Sequence, residues 1–359
     1  MISQTILPSE QLPLVSIIFS ALNEEEHLES SLLSMLSLDY PQLEIIAIND
    51  RSSDRTGVIL EDLSKKFLNL HVIHVTTLPD NWLGKNHALY LGAKKAHGKW
   101  LLFTDADVSM DTALLKKSMS YVIEQNIDHL TIFEKHTSKS FWLRVLLLGT
   151  YIPYCLHLKP WRIRYKWSKK YLGHGAFNLI KKATYQDLGG HYSIAMECVD
   201  DMQLGKLLKE NGYKQDTVNG HNYIEREWYS SLTAMINGMS KNGFALFSYS
   251  LVILLCRVFL WFLYCFWPLM AVMRFTGILF WINIVNVTLM LSFAALVAKQ
   301  FHLKKSYALC YPFAVILLLY AICRSMFLTY YHNGIYWRNT HYSLKNLRNK
   351  PKPAKIFED

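Results

Sequence analysis

Between Ala245 and Phe357 the sequence contains no Asp and no Glu. Residues 1–244 carry 26 basic and 26 acidic side chains, while residues 245–359 carry 12 basic ones against Glu358 and Asp359. The whole net charge of +10 therefore sits in the last third, a division that a uniformly basic nucleic-acid binder does not have. Charged residues make up only 18% of the 359, and apolar ones 51%, which excludes a disordered or coiled-coil chain. The six cysteines form no C-x-x-C pair, and four of them (Cys256, Cys265, Cys310, Cys323) fall in hydrophobic runs, so neither a disulfide framework nor a zinc site is indicated. The start, through Phe19, has no basic leader or cleavage site and reads as the approach to a strand.

What is present in the last third is long apolar sequence. From Ala245 to Ala298 the only charges are Arg257 and Arg274, and the stretch divides at Arg274-Phe-Thr-Gly277 into two runs. Each is long enough to cross about 30 Å of hydrocarbon at about 1.5 Å per helical residue. A third run, Ser306 to Phe327, follows the basic connector Lys299–Lys305 and contains Arg324. Trp261, Trp267, Trp281 and Tyr307 are suited to anchor such spans at an interface. The excess of Lys and Arg in the connector and in the tail (Arg338, Lys345, Arg348, Lys350, Lys352, Lys355) favours a cytoplasmic side for both. Three crossings from a cytoplasmic domain satisfy the connector but put the tail outside, so either one segment lies in the interface or the tail breaks the rule.

The first two thirds alternate short apolar runs with helical patterns. Strands are expected at Leu14–Phe19, Leu43–Ile48, His71–Val75 and Trp100–Phe103, with helices at Glu24–Leu38, Gly57–Phe67 and Lys85–Ala96. Strands joined by crossover helices imply an α/β fold with a mostly parallel central sheet, whose ligand loops follow the strand C-termini. Asn23, Asp50, Asp105 and Asp107 fall where that rule puts a nucleotide site. Asp105-Ala-Asp107 closes a buried strand, and two carboxylates so spaced can share a hard divalent cation and the diphosphate it carries. Asp50 either accepts a hydrogen bond from a base N–H or caps the next helix.

Pro13-Leu-Val-Ser-Ile-Ile-Phe-Ser-Ala-Leu-Asn-Glu-Glu25, Asn49-Asp-Arg-Ser-Ser-Asp54, Gly84-Lys-Asn-His-Ala-Leu89 and Phe103-Thr-Asp-Ala-Asp-Val108 occur in that order. Together they resemble the inverting family 2 glycosyltransferases of GT-A fold, over roughly residues 12–245. Leu78-Pro-Asp-Asn-Trp-Leu-Gly-Lys85 and the apolar tail resemble the membrane-bound, lipid-directed members: the hopanoid-associated, carotenoid-acid and ceramide glycosyltransferases. The resemblance implies that Ala21 and Asn23 line the nucleotide pocket, that Asp50 reads the base, and that Lys85 approaches the diphosphate. It implies further that Asp105 and Asp107 hold ribose and metal (Mg²⁺ or Mn²⁺), with Asp107 the main metal ligand.

In Val199-Asp-Asp-Met-Gln-Leu204, followed by Asn211-Gly-Tyr213, Asp201 matches the family's general base, and Asp200 stands where Glu is usual. Gly173-His-Gly-Ala-Phe-Asn178 and Leu188-Gly-Gly-His191 resemble its acceptor-side loop, which assigns His174 and Gly175 to the acceptor; His174 and His191 are equally compatible with a structural role. Processive members carry Gln-x-x-Arg-Trp, where this chain has Ile224-Glu-Arg-Glu-Trp228. The missing Gln favours addition of one sugar, with Arg226 and Trp228 retained on the acceptor side. Met239-Ser-Lys-Asn242 and Trp337-Arg-Asn-Thr-His-Tyr342 also resemble the lipid-directed members, with Asn339 where Gly is commoner.

The run Phe141–Leu158 is apolar but interrupted by Arg144 and Pro153, and it leads into Lys159–Lys170, where six cations alternate with Trp161, Tyr165 and Trp167. Basic-aromatic alternation beside an apolar stretch suits an element lying on anionic lipid.

The organisation expected is thus a cytoplasmic GT-A domain at 1–244 with an interfacial segment at about 141–170, about three hydrophobic segments at 245–333, and a basic tail at 334–359. The expected activity is transfer of a single sugar from a nucleotide-sugar, a UDP-sugar by preference, to a hydroxyl or carboxyl of a membrane lipid. The expected partners are donor, lipid acceptor and bilayer, with no nucleic acid. Transfer to a polyprenyl phosphate and a catalytically silent lipid-binding subunit are the rival readings.

Overall fold

The computed structural model describes residues 6–138, 140–338 and 340–352; Asn339 and Lys355, named above, lie outside the described residues. The chain divides into two compact units, one of Pro160–Glu227 with the residues up to Thr137 and from Asn349 on, the other of Ser138–Lys159 and Trp228–Arg348.

In the first unit, β1 (Val15–Ala21), α1 (Leu28–Leu36), β2 (Leu43–Asp50), α2 (Thr56–Ser64), β3 (Leu70–Val75), α3 (Gly84–Lys95) and β4 (Trp100–Asp105) realise the expected alternation. There follow β5 (Val108–Met110), α4 (Leu114–Glu124), β6 (His129–Phe133) and β7 (Lys135–His136). After α5 (Phe141–Leu158) of the second unit come β8 (Asn178–Lys181), α6 (Lys182–Asp187), α7 (Asp200–Glu210), β9 (Gln215–Asn219) and β10 (Ile224–Arg226).

Seven strands form one sheet in the order β3-β2-β1-β4-β8-β6-β9. All its pairings are parallel except those of β8, which runs antiparallel to β4 and β6. The fold is a mixed α/β GT-A-like one. β1 is buried along its whole length, as a strand covered by helices on both faces must be. One face packs Ile17, Phe19, Ile45, Leu102 and Leu130 under α1, α2 and α4, and the other packs Ile18, Ile46, Ile48 and Leu101 under α3 and α7.

The first helix starts four residues later than its hydrophobic spacing predicts, because the segment before it is tied to the loop after β2. Glu24 N donates to Thr56 Oγ1 (2.8 Å), and Arg55 N donates to Glu25 Oε2 (3.0 Å). These ties hold 24–27 as a turn, and Leu28 N donates to Glu24 O (3.0 Å) as the helix begins.

The second unit holds α5, α8 (Leu232–Asn242), α9 (Leu251–Arg274), α10 (Gly277–Gln300), α11 (Tyr311–Tyr331), the hairpin β11 (Gly334–Trp337) and β12 (Thr340–Ser343), and α12 (Leu344–Asn349) leading out of it. Among the described residues, four helical stretches are long and apolar enough to cross a membrane: Phe141–Arg162, Leu251–Arg274, Gly277–Gln300 and Lys305–Tyr331, with mean hydropathies of 1.3, 2.0, 1.9 and 2.0. The first extends α5 through a short 3-10 turn. The Arg144 and Pro153 interruptions do not break α5: Arg144 Nε donates to Ser138 O (2.7 Å), and Pro153 is accommodated within the helix. Gly149 lets α5 approach α11, since a Cβ there would lie 2.6 Å from Ala314 O.

Candidate active site

The register of the parallel strands gathers the site. Ala21 is opposite Asn49, Ser20 is opposite Asp105, and Asp50 is opposite Val75, so the C-terminal ends of β1, β2 and β4 share one edge. Ala21 is buried there. Asn23 follows with φ of 54°, and its carboxamide oxygen accepts from Ser53 N (2.9 Å), which fastens the loop after β1 to the loop after β2. Asp50, fully buried, accepts from Arg51 Nε (2.8 Å) and Nη2 (3.3 Å). That pair packs on the first residue of α3: a Cβ on Gly84 would lie 2.4 Å from Arg51 Nη2 and 2.8 Å from Asp50 Oδ2.

Lys85, one residue into α3, reaches the end of β4. Its Nζ lies 2.9 Å from Asp105 Oδ1 and 3.4 Å from Asp200 Oδ2. Burial alone would lower its pKa, but the Asp105, Asp200 and Asp201 carboxylates outweigh that and raise it above the ordinary lysine value. Lys85 is thus a fixed cation at the strand edge.

Arg226 lies on the other side of Asp105. In the small sheet β5-β10-β7 it is opposite Val108, which brings its guanidinium to the Asp-Ala-Asp turn. Nη1 donates to Asp105 Oδ2 (2.8 Å) and Nε to Asp107 Oδ2 (3.0 Å). Burial pushes the Asp107 pKa up, Arg226 opposes that, and the neighbouring Asp105 charge adds to it.

The fit of a divalent cation rests on this pair. Asp107 Oδ1 is buried and has no hydrogen-bond partner, so one anionic oxygen remains uncommitted. Among the described residues no group of three or more His, Cys, Asp or Glu is arranged to hold a metal alone. An ion such as Mg²⁺, which takes one or two carboxylates and completes its shell with water and substrate phosphate, fits that donor set.

Asp200 and Asp201 open α7. Asp201 is pushed up to about 6 by burial and by the Asp200 charge beside it, with Lys85 and His174 acting in the opposite sense. The loop Gly173-His174-Gly175 is wedged between Asp201 and β4. A Cβ on Gly173 would fall 1.6 Å from Asp201 O, and one on Gly175 would fall 2.7 Å from Asp105 Oδ2 and 3.5 Å from Asp201 Oδ2. The absence of a side chain at Gly175 therefore lets the loop approach the carboxylates of both Asp105 and Asp201.

His174 Nδ1 is 3.1 Å from Oε2 of Glu134, a buried residue that the sequence reading missed. Burial works against the Glu134 anion, but His174, His136 and Arg226 hold its pKa below the ordinary value. His136, 3.6 Å from Glu134 Oε1, is pushed down to about 4 chiefly by burial. Glu134 directly follows β6, as Asp105 closes β4, so the strand-end rule that found Asp105 was available for it too. His191 is buried, and its Nδ1 lies 2.9 Å from the Tyr185 hydroxyl, a packing role. Trp228 opens the second unit, its ring tilted against Tyr229 at 5.2 Å. Arg226, expected on the acceptor side, has both D-x-D carboxylates as hydrogen-bond partners.

Residues 16–185 match the family described as Glycosyl transferase family 2. The chain carries a family 2 glycosyltransferase domain. It is 27% identical over 239 residues to a 4,4'-diaponeurosporenoate glycosyltransferase of Staphylococcus haemolyticus, covering 64% of this chain and 60% of that protein. It is 39% identical over 100 residues to the probable glycosyltransferase YdaM of Bacillus subtilis, covering 27% of this chain and 24% of that one. Both matches thus span less than two thirds of the relative's length. A mannosyltransferase from Pyrobaculum calidifontis, solved with GDP-Man and Mn²⁺, shares the fold at a TM-score of 0.54 and 16% identity, covering 90% of this chain and 89% of that one.

Proposed function

We propose that this family 2 glycosyltransferase is membrane-anchored and inverting, and that it moves one sugar from a nucleotide-sugar, in our reading a UDP-sugar, to a hydroxyl or carboxyl of a lipid. The observation that carries the reading is the meeting of Asp105 and Asp201 across Gly175, with Lys85 and Arg226 flanking the first. Cations belong where a diphosphate departs, and a base belongs on the opposite face of the sugar.

Asp50 and Asn23 lie at the nucleotide end, beside Ala21. Lys85 and Arg226 bring positive charge to the diphosphate end, where Asp105 orients the ribose. Asp107 and Asp105 would hold Mg²⁺ or Mn²⁺, which when bound acts as a Lewis acid on the leaving diphosphate. With a hydroxyl acceptor, Asp201 takes the proton from the acceptor oxygen as that oxygen bonds to the anomeric carbon, whereas a carboxyl acceptor attacks as its carboxylate; the bond to the diphosphate breaks in the same step, and its electron pair leaves with the nucleotide. Asp200 raises the basicity of Asp201. His174 and Gly175 lie on the acceptor side.

A relative named for diaponeurosporenoate supports an apolar acid among the candidate acceptors. The departure from Gln-x-x-Arg-Trp supports transfer of a single sugar. An interfacial position for Phe141–Lys170 is supported by the exposed Trp161 and Trp167, with Arg162 over the Trp167 ring at 5.6 Å.

Mass spectrometry of total lipids, compared between cells with the gene, without it, and with Asp201→Asn, tests the proposal. A glycolipid missing from both the deletion and the variant is the expected result. A product that survives Asp201→Asn would exclude a hydroxyl acceptor and point to one that is already ionised, a carboxylate or a phosphate, which needs no base. No lipid change despite confirmed expression would overturn the reading.

A further inference from the structure

We infer that the chain crosses the bilayer twice, as a hairpin of α9 and α10, and that α5 and α11 lie as an apolar platform in the lipid interface on the catalytic side. This rests on the membrane-anchored reading and adds the lipid surface that each helix meets.

The argument starts from parity. The sheet takes β4 and β6 from before α5 and β8 and β9 from after it. A polar domain folded around one sheet lies on one side of a membrane, so the chain that leaves it at Thr137 and returns at Pro160 makes an even number of crossings. That excursion contains one long helix, α5, which therefore makes none, although its length and composition would allow it.

The same rule governs the second excursion. The chain leaves the first unit at Glu227 and returns at Asn349. Lys350 Nζ lies 2.6 Å from Glu197 Oε1, an ion pair within the first unit. Three long apolar helices lie between, so one of them does not cross.

That helix is α11. Over an apolar window of 18 residues within each stretch, 44% of Lys305–Tyr331 is buried within the protein, against 11% for Leu251–Arg274 and 17% for Gly277–Gln300. α11 spends its surface on α5, through Gly149 and Ala314, and on α8, where Ser325 Oγ donates to Ser240 O (2.7 Å) and Arg324 Nη1 donates to Ser240 Oγ (2.6 Å). Residues 138–159 and 228–348 contain no Asp or Glu, so this unit has no carboxylate of its own to repel lipid phosphates from its cations.

Both ends of the hairpin return to the platform. Arg348 Nη2 donates to Tyr249 O (2.9 Å), just before α9, and to the Tyr330 hydroxyl (3.1 Å) near the end of α11. At the exit of α10, Phe301 stacks on Tyr151 of α5 at 3.7 Å. The arms have 24 residues each, about 36 Å of helix, which spans the hydrocarbon. They are joined by Phe275 and Thr276, with Gly277 at φ +64° in open space. The distal tip carries only Arg274, while the connector Lys299–Lys305 and the basic tail share the proximal side, as positive charge favours. The two sides left open by hydropathy alone are thereby reconciled.

The test is cysteine accessibility of the full chain in intact cells. Single cysteines are introduced by Thr276→Cys, His302→Cys and Lys352→Cys into a chain whose six native cysteines are replaced by Ser or Ala, and a membrane-impermeant maleimide is applied. Labelling from outside only at position 276, with all three labelled after lysis, is expected. External labelling at position 302 or 352, or protection at 276 until lysis, overturns the hairpin. Release of the unsubstituted chain from membranes by alkaline carbonate is a separate outcome, and it would overturn the anchored reading itself. Should the cysteine-free chain not accumulate, a reporter active only outside, fused after position 276, 302 or 352, distinguishes the same alternatives.

Discussion

Glu134 Oε2 and His174 Nδ1 lie 3.1 Å apart, and the carboxylate is buried while the imidazole is not. The pair fixes the ring beside Asp201 from a residue with no expected contact to substrate. Glu134→Gln removes an anion that faces His174, His136 and Arg226 together. The substitution is expected to cost roughly 1–3 kcal/mol of stability, as loss of a buried charged partner does, and to lower sugar transfer further than the melting temperature explains. Thermal denaturation beside steady-state kinetics separates the two effects.

The pH profile follows from Asp201. Acting as a base it must be deprotonated, so kcat/KM is expected to rise with pH through about 6. Asp200→Asn removes a neighbouring charge that raises this value, and the rising limb should move to lower pH. The stability linkage has the opposite sense. A folded pKa above the unfolded value of 3.8 means that the folded state binds the proton more tightly, so this group's contribution is fully present below about pH 4 and is lost as pH rises through about 6. A limb that does not move in Asp200→Asn would remove Asp201 from the base role.

The two glycines flanking His174 should behave differently. Gly173→Ala drives a Cβ into the backbone of Asp201 at 1.6 Å, which no side-chain motion relieves. Gly175→Ala meets only the carboxylate ends of Asp105 and Asp201, so the fold should survive at a cost of about 1–3 kcal/mol. Its activity should nevertheless be lost, because the methyl displaces the Asp105 carboxylate from the place it holds beside Asp201. Circular dichroism melts and transfer assays on both variants check the contrast.

Chelation should abolish transfer, and either Mn²⁺ or Mg²⁺ should restore it. Asp107→Asn, which takes the charge from the carboxylate whose Oδ1 has no partner, is expected to raise the metal concentration needed for half-maximal rate. Undiminished transfer in excess chelator would show that Lys85 and Arg226 suffice for the diphosphate.

Much of the catalytic unit was legible from periodicity. The buried runs ending at Phe19, Ile48 and Phe103 predict β1, β2 and β4 because a strand covered on both faces must be apolar throughout. The strand-end rule then locates Asn23, Asp50, Asp105 and Asp107. Glu134, directly after β6, was within its reach, whereas Arg226 was not, because its partners lie far along the chain: it meets Asp105 and Asp107 across 121 and 119 residues. No local spacing encodes such a meeting.

The membrane segment divides in the same way. Hydropathy by itself determined which stretches can enter a bilayer, because transfer from water depends on composition and length. It could not determine which of them cross. The crossings we propose rest on tertiary structure, since a strand pairing that joins β8 and β9 to β4 and β6, and an ion pair that returns Lys350 to Glu197, bring the chain back to the same unit after each excursion.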